Sequence, residues 1–455
     1  MHDDTIAAIA TPTGSGGIGV IRISGPGARE ILDGIFVPQS KTSRPTPYLL
    51  RVGHIINEKN EILDEVMAVF MPGPKSFTGE DLVEVYCHAG LIVLTTILRR
   101  ILEFDCRPAE AGEFSQRRFV NRGEDLSKLE GAAEMVAAKT DLAYRLSREH
   151  LVGNYGTYIT NLRHNIVHLL AEIEADIDFP DEDSVGTIGR ELLNSKLDGI
   201  IVDLTSLAES YRTGKIIKDG YRVLLMGAPN VGKSSLFNRL IKQTRSLVTP
   251  VPGTTRDYIS EWLDIAGLPV ELYDTAGLRK GRGQVEKAGI DLSKKLIGRA
   301  DLIIYICDIN TRPAPLPKLG LKKHQRLIVV FNKADLCGDV KSASAKWWDR
   351  LSGDVDCLPI SAKTGRGIKQ LLTSIHKLAG VADLTDNLVV TSERHKSKID
   401  SCLEHLKKVR SILSMPPEII SLELRQAANT IGEITGHIYT EQILDEIFAN
   451  FCIGK

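Results

Sequence analysis

Apolar residues along this chain follow two periods, and the switches between them mark its parts. Thr5–Ala10 and Val20–Ser24 are short β-branched runs that read as buried strands. Leu50–Phe70 adds strand-like segments around a turn at Asn57–Asn60, and Leu91–Leu102 reads as a helix. Residues 1–118 are therefore expected to form one α+β domain. From Leu126 to Ile177 the period becomes helical. Leu126, Leu129, Ala133 and Val136 fall on one face, and Leu162, Ile166, Leu169, Leu170 and Ile173 on another. An acidic run, Glu172–Asp183, closes this stretch as a solvated helix end broken by Pro180. A further helix over about Gly189–Lys215 leads to the turn dipeptide Asp219-Gly220. Residues 221–379 alternate strand and helix signals, as a doubly wound parallel sheet does. Thr391–Ser414 and Glu418–Asn450 return to helix, separated by Met415-Pro-Pro417. The expected fold class is multidomain α+β. It comprises an N-terminal α+β domain (1–118), an all-α domain in two parts (119–216 and 380–455), and an inserted α/β domain (217–379).

Composition narrows the function classes. The chain has 455 residues, 43% hydrophobic and 25% charged, an ordinary globular mixture. Its net charge of -1 supplies no global basic field for nucleic acid, so any RNA contact must be local. Only 5% of residues are aromatic, too few for a broad base-stacking surface. The start, Met1-His-Asp-Asp, lacks a signal-peptide pattern, and no apolar run approaches the roughly 20 residues of a membrane span. Seven scattered cysteines with no CxxC pair argue for a reducing compartment, against a disulfide framework and against a zinc site. A cytoplasmic location with no membrane partner is expected.

The inserted domain opens on Gly227-Ala-Pro-Asn-Val-Gly-Lys-Ser234, between the apolar run Val223–Met226 and the helix-like Ser235-Leu-Phe-Asn-Arg-Leu-Ile. Strand, Gly-rich turn with Lys-Ser, and helix make a phosphate-binding P-loop. The glycines let the backbone of Asn230, Val231 and Gly232 wrap close, so N–H groups converge on a phosphate chain, and the helix N-terminus adds partial positive charge. Lys233 reaches the outer phosphates. Ser234 offers a hydroxyl to Mg2+, and Ser235 follows it at the helix start.

Four further motifs follow in order. Gly253-Thr-Thr-Arg-Asp257 lies where a switch loop must close over the γ-phosphate. Asp274, Thr275, Ala276 and Gly277 follow the strand Val270–Tyr273; the carboxylate can hold Mg2+ through water and the glycine N–H can meet the terminal phosphate. Asn332, Lys333, Ala334 and Asp335 follow the strand Leu327–Phe331; the Asp335 carboxylate can accept N1–H and the 2-amino group of guanine, a donor pair that adenine lacks. Ser361, Ala362 and Lys363 supply backbone donation to guanine O6. Together these specify GTP. Leu278 stands where Ras-like GTPases carry a water-orienting glutamine, and leucine cannot orient water. Arg256, Arg279 and Glu286 are therefore the catalytic candidates. Elsewhere, Gly14-Ser-Gly-Gly-Ile-Gly19 is a formal GxGxxG, but the alternating Val20–Ser24 after it reads as a strand, so it predicts a tight loop and not a dinucleotide site.

The full length resembles the MnmE (TrmE) family of tRNA modification GTPases, within the Era-like GTPases. The resemblance is carried by Asp4–Pro12, Gly16–Gly25, Phe77-Thr-Gly-Glu-Asp81, Ala175–Asp183, Gly253–Asp257, Asp274–Arg279 and the terminal Phe451-Cys-Ile-Gly-Lys455. It implies an N-terminal tetrahydrofolate-binding domain that dimerises, a helical domain, and an inserted G domain that pairs across the homodimer with K+ and GTP bound. It extends the GTP site over Thr249, Pro250, Val251, Pro252, Gly253, Thr254 and Thr255. It makes Ser234 and Thr255 the Mg2+ ligands, and Asn230, Thr249, Val251 and Thr254 the K+ ligands. K+ would put positive charge between the β- and γ-phosphates, where an arginine finger acts in other GTPases. Glu286 would orient the attacking water, and Arg256 and Arg279 would order the switches. Arg22, Glu84 and Lys455 would contact a 5-formyl- or 5,10-methylene-tetrahydrofolate beside Cys452.

The implied activity is K+-dependent GTP hydrolysis coupled to wobble-uridine chemistry. Acting in a heterotetramer with the flavoprotein MnmG, which carries FAD and uses NADH, the protein would add a carboxymethylaminomethyl or aminomethyl group to C5 of the wobble uridine of certain tRNAs. Glycine or ammonium would supply the nitrogen. The chain departs from the family in three places. A family lysine is replaced at Gly123, with Arg122 as the neighbouring cation; the loop Lys280–Arg282 is unusually basic; and His88-Ala-Gly90 replaces His-Gly-Gly. Two other classes compete: a ribosome-assembly switch without folate chemistry, which lacks this N-terminal domain and tail, and an ATP-dependent P-loop kinase, which the Asn332–Asp335 motif opposes.

Overall fold

The computed structural model describes residues 4–12, 14, 16–40, 46–178, 190–246, 259–274, 296–313, 316–317, 319–348, 356–381, 388–449 and 451–454. The chain divides into two compact units. One comprises Met1–Ala133, His150–His164 and Ala428–Lys455, the other Glu134–Glu149 and Asn165–Ala427.

The first unit is built on a seven-stranded sheet. Its strands are β1 (Ile6–Ile9), β2 (Ile18–Ser24), β3 (Phe36–Pro38), β4 (Arg51–Ile56), β5 (Ile62–Met71), β6 (Leu82–His88) and β7 (Arg107–Pro108), in the order β3-β4-β5-β6-β2-β1-β7. The segment Val20–Ser24 is in a strand, as the β-branched alternation predicts, and that strand begins at Ile18. Along β2 the side chains alternate. Ile21 and Ile23 enter the core with Ile31 and Leu32 of α1 (Ala28–Ile35) and Leu94, Ile97 and Ile101 of α2 (Leu91–Ile101). Gly19 allows the closest approach, since a Cβ there would lie 2.7 Å from Leu94 Cδ2. Arg22 takes the opposite face of the sheet.

Helix α3 (Glu113–Arg122) follows β7. Sequence periodicity does not reveal it, because its buried side includes two charges, Glu113 and Arg117. Arg117 is 1% exposed and donates to Asp4, Glu80 and Glu113 at 2.8–3.1 Å, while Arg107 forks onto Glu113. This network ties the chain start to the helix. The helical stretch expected from Leu126 onward begins as α4 (Leu126–Ala137), α5 (Asp141–Val152) and α6 (Asn154–Asp178). Leu126 and Leu129 are buried as expected, but Val136 is 60% exposed. The acidic residues 179–183 lie outside the described residues.

The second unit holds a seven-stranded sheet of β8 (Tyr221–Gly227), β9 (Arg245–Ser246), β10 (Ile259–Ile265), β11 (Leu268–Asp274), β12 (Leu302–Asp308), β13 (Arg326–Asn332) and β14 (Asp356–Pro359). The order is β14-β13-β12-β8-β11-β10-β9, and β8, β11, β12, β13 and β14 pair in parallel. This is the doubly wound sheet that the alternation predicts. Its apolar strands are buried against α8 (Lys233–Gln243) and α10 (Ile368–Ala379), with α9 (Val340–Trp348) flanking β14. Helix α7 (Arg190–Asp219) leads into β8 through Gly220 (φ +90°) and packs along α11 (Glu393–Ser411).

The expected helix Glu418–Asn450 is two helices, α12 (Pro417–Thr435) and α13 (Glu441–Phe448). Gly436, at φ +83°, breaks them: a Cβ there would lie 2.6 Å from the Phe119 ring. Thr440 caps α13 and accepts from the Ile443 N–H. Phe448 and Leu444 then pack with Phe119 and Leu126 in the first unit. Among the described residues no helix is long and apolar enough to cross a membrane.

Candidate functional site

The second unit gathers its motifs at the C-terminal ends of parallel strands, where open α/β sheets bind ligands. Strand β8 delivers Gly227 at φ +150°, with its Cα so close to β12 that a Cβ would sit 2.3 Å from the Ile306 carbonyl. Asn230 and Gly232 also take positive φ, +62° and +97°. The loop then enters α8 at Lys233. The Lys233 ammonium donates to the carbonyls of Gly227 and Ala228 at 3.1 and 2.8 Å, which spans the loop mouth. Ser234 Oγ donates to Asp274 Oδ2 at 3.1 Å, so two hard oxygens meet at the end of β11. That pair fits Mg2+, whose ligands are oxygens. Ser235, beside it on α8, is exposed.

Asn332 joins three motifs. It is 2% exposed; its Nδ2 donates to the Val231 carbonyl at 2.8 Å, and its Oδ1 accepts from the Ala362 N–H at 2.9 Å. Gly232 must lack a side chain, because a Cβ would be 2.2 Å from that same amide nitrogen. The Ala362 N–H expected at guanine O6 thus also fixes Asn332. Lys333 (φ +64°) pairs with Asp308 at 2.7 Å, and the Ala334 N–H donates to the Ile360 carbonyl at 3.0 Å. Asp335 accepts from the buried Ser361 hydroxyl at 2.6 Å, which holds its carboxyl below the usual range, so it is an acceptor at neutral pH. Arg239 of α8 donates to the Ala362 carbonyl at 2.9 Å and also to that of Lys363, anchoring the loop. Arg239 and Asp308 carry no signature that sequence reasoning could have used. Thr249, Pro250, Val251, Pro252, Gly253, Thr254, Thr255, Arg256, Thr275, Ala276, Gly277, Leu278, Arg279 and Glu286 lie outside the described residues, as does the Lys280–Arg282 loop.

A second polar cluster occupies the outer face of the first sheet. Arg22 and Glu84 face each other across β2 and β6, and Arg22 Nε donates to Glu84 Oε1 at 2.7 Å. Tyr86 donates to the other Glu84 oxygen at 2.5 Å; that bond, with burial, pushes the phenol up to about 12. Arg22 also reaches the Gly454 carbonyl at 3.3 Å. The C-terminal tail is docked here. Ile453 bridges to Ala111, and Gly454 (φ +89°) lies so close to β1 that a Cβ would be 2.5 Å from the Ile9 carbonyl. Cys452 is exposed, and Lys455 lies outside the described residues. Arg122 donates to the Ser76 carbonyl at 3.0 Å, and Gly123 is the left-handed cap of α3 (φ +59°) with open space where a Cβ would go. Arg22 and Arg118 both stand against the Phe77 ring, at 5.1 and 4.6 Å from its centroid. Sequence reasoning found Arg22 but neither Phe77's role as the shared ring nor Arg118.

Two family models match: "GTP-binding protein TrmE N-terminus" over residues 5–123 and "MnmE helical domain" over residues 126–452. Curated relatives match along the whole chain. A "tRNA modification GTPase MnmE" of Desulforamulus reducens is 38% identical over 100% of both chains. The protein of the same name from Alkaliphilus metalliredigens is 39% identical over 100% of this chain and 99% of its own. That of Clostridioides difficile is 38% identical over 100% and 99%. The chain belongs to the MnmE family of tRNA modification GTPases.

Proposed function

We propose that the protein binds and hydrolyses GTP in its second unit and uses that cycle to drive one-carbon chemistry on the wobble uridine of tRNA. The observation that carries the nucleotide assignment is the Asn332 amide, which locks the P-loop, the Asn332–Asp335 strand end and the Ser361–Lys363 loop into one geometry. The Ser361 hydroxyl holds the Asp335 carboxylate as an acceptor, which in this reading takes the N1–H and 2-amino group of the base. Such an acceptor reads guanine. Ser234 with Thr255 would hold Mg2+, which neutralises charge on the phosphates. Asn230, Thr249, Val251 and Thr254 would hold K+; the Asn230 side chain offers an amide oxygen, a donor suited to that ion. Lys233 would leave its loop carbonyls for the phosphate chain. Glu286 would orient water, and Arg256 and Arg279 would order the switches around it.

The one-carbon donor in this proposal is a 5,10-methylene- or 5-formyl-tetrahydrofolate bound at Arg22, Glu84, Arg122, Gly123 and Lys455, near Cys452. The cluster suits it: Glu84, partly buried, can accept from an amino-pyrimidinone edge, and the arginines can meet carboxylates. We also assign residues 1–118, 119–216 with 380–455, and 217–379 as the folate-binding, helical and G domains. Homodimerisation through the first unit is supported by the exposed apolar side chains of Ile18 and Val52, which border a groove of about 460 Å3 with Glu65, Tyr86 and His88. Together with the flavoprotein MnmG, its FAD and NADH, the dimer would act in the cytoplasm on tRNA. GTP hydrolysis would open and close the G domains, a conformational step that gates the chemistry.

The test is equilibrium dialysis with 5-formyl-tetrahydrofolate alongside GTP turnover. Wild type is expected to bind the folate and Arg22→Ala to lose it, with turnover intact in both. No folate binding by wild type would overturn the folate half, and no GTP turnover in K+ the other half.

A further inference from the structure

We propose that Arg239, on the helix that follows the phosphate loop, is a positioning residue for guanine recognition. Its guanidinium holds the Ser361–Lys363 loop in the shape that reads the base. This inference rests on the guanine reading above and extends it to a residue that would touch neither base nor phosphate.

Ala362 is held at both of its backbone groups. Its N–H donates to Asn332 Oδ1 at 2.9 Å, and its carbonyl accepts from Arg239 Nε at 2.9 Å. Arg239 Nη2 donates to the next carbonyl, that of Lys363. One planar guanidinium thus engages two successive peptide units, a fork that a point charge does not reproduce. Arg239 is half-buried, so water competes only in part for these bonds. It is also presented from a fixed base: Leu236, Phe237 and Leu240 of α8 are buried in the core of the sheet. The turn at Gly365 (φ +89°) closes against the same helix, where a Cβ would lie 3.5 Å from Gln243 Nε2 and 3.9 Å from Arg239 Nη1.

The second peptide unit leads to Asp335. The Lys363 carbonyl and the Thr364 N–H belong to one peptide group. That N–H donates to Ser361 Oγ at 3.1 Å, and the Ser361 hydroxyl donates to Asp335 Oδ1 at 2.6 Å. A cation on the carbonyl polarises the peptide and strengthens the N–H at its other end, and each bond in such a chain reinforces the next. Arg239 therefore acts on the loop backbone directly and on the Asp335 carboxylate through Ser361. Removing the guanidinium frees the loop on its α8 side. The Asn332 bonds to Val231 and Ala362 stay in place, so the phosphate loop keeps its shape.

The experiment is competition against a fluorescent GDP on the full-length protein with Mg2+ present. Two probes are compared: GDP, and purine riboside diphosphate, which shares the sugar and phosphates but has no 6-oxo group, N1–H or 2-amino group. Wild type is expected to prefer GDP. Arg239→Met is expected to bind GDP about ten-fold or more weaker with purine riboside diphosphate unchanged, the scale of lost charge-assisted bonds. Arg239→Gln keeps one donor arm without the charge and is expected to lose about three-fold for GDP alone. This second variant keeps the test decisive if Arg239→Met fails to fold. GDP binding by the variants equal to that of wild type would overturn the positioning role. So would a loss equal for the two probes, which is what general damage to α8 or the phosphate loop would give. A wild type that binds the two probes alike would overturn the guanine reading itself.

Discussion

Asn332 Nδ2 donates to the Val231 carbonyl at 2.8 Å, so a side chain at the end of β13 sets the conformation of the phosphate loop at the end of β8. The phosphate loop, the Asn332–Asp335 strand end and the Ser361–Lys363 loop are thereby tied together. Asn332→Ala strands two groups, the Val231 carbonyl and the buried Ala362 N–H. Each orphaned group costs about 1–3 kcal/mol. A lowered melting temperature and GTP affinity reduced by more than about ten-fold are expected, measured by thermal unfolding and titration with a fluorescent GTP analogue. Gly232→Ala should do similar damage from the other side, because its methyl would collide with the same amide.

The proposed function makes base choice rest on Asp335. Asp335→Asn turns an acceptor into a group that presents a donor, and so should shift preference from guanosine toward xanthosine triphosphate. Competition binding with the two triphosphates measures this. Ser361→Ala should weaken guanine selectivity as well, since the hydroxyl that aims the carboxylate at 2.6 Å would be gone.

The ion-pair network of the first unit predicts acid lability. Burial opposes the charged forms of Glu113 and Asp4, but hydrogen bonds and charge from Arg107 and Arg117 outweigh it and leave both carboxyls below their ordinary values of 4.5 and 3.8. A lowered folded pKa gives stability that is complete above the unfolded value and is lost as pH falls through the folded one. Amide protection in Ile6–Ile9 and Glu113–Arg122 should therefore hold from pH 7 to about 5 and collapse below about 4, by hydrogen exchange read across pH. Arg117→Met leaves buried Glu113 with Arg107 and the Glu110 N–H, and should cost about 3–5 kcal/mol at neutral pH, while flattening the acid decline.

Potassium dependence follows from the Asn230 assignment. GTP turnover should be faster in K+ than in Na+, which is too small for the same ligands. Asn230→Ala should remove the difference. Equal wild-type rates in the two salts would refute the K+ assignment.

The sheet of the second unit was legible in the sequence because parallel strands buried on both faces read as unbroken apolar runs, and Gly227 to Ser234 sits at the end of one. The strand Ile18–Ser24 was legible for the opposite reason: its residues alternate, which a helix would not. Helix α3 was hidden because its inward side carries Arg117 and Glu113, so charge pairing replaces the apolar stripe. The break at Gly436 was hidden because its cause, the Phe119 ring, is more than three hundred residues away in the chain. A like distance hid the pairing of Arg22 with Gly454: composition names the cation, but only folding decides which carbonyl it meets.

The most direct test of the account is nucleoside analysis by mass spectrometry of tRNA from cells lacking this protein. The C5-substituted wobble uridine should be absent, and should return with the wild-type chain but not with Asp335→Asn or Arg22→Ala. Full C5 substitution in cells without the protein would contradict it.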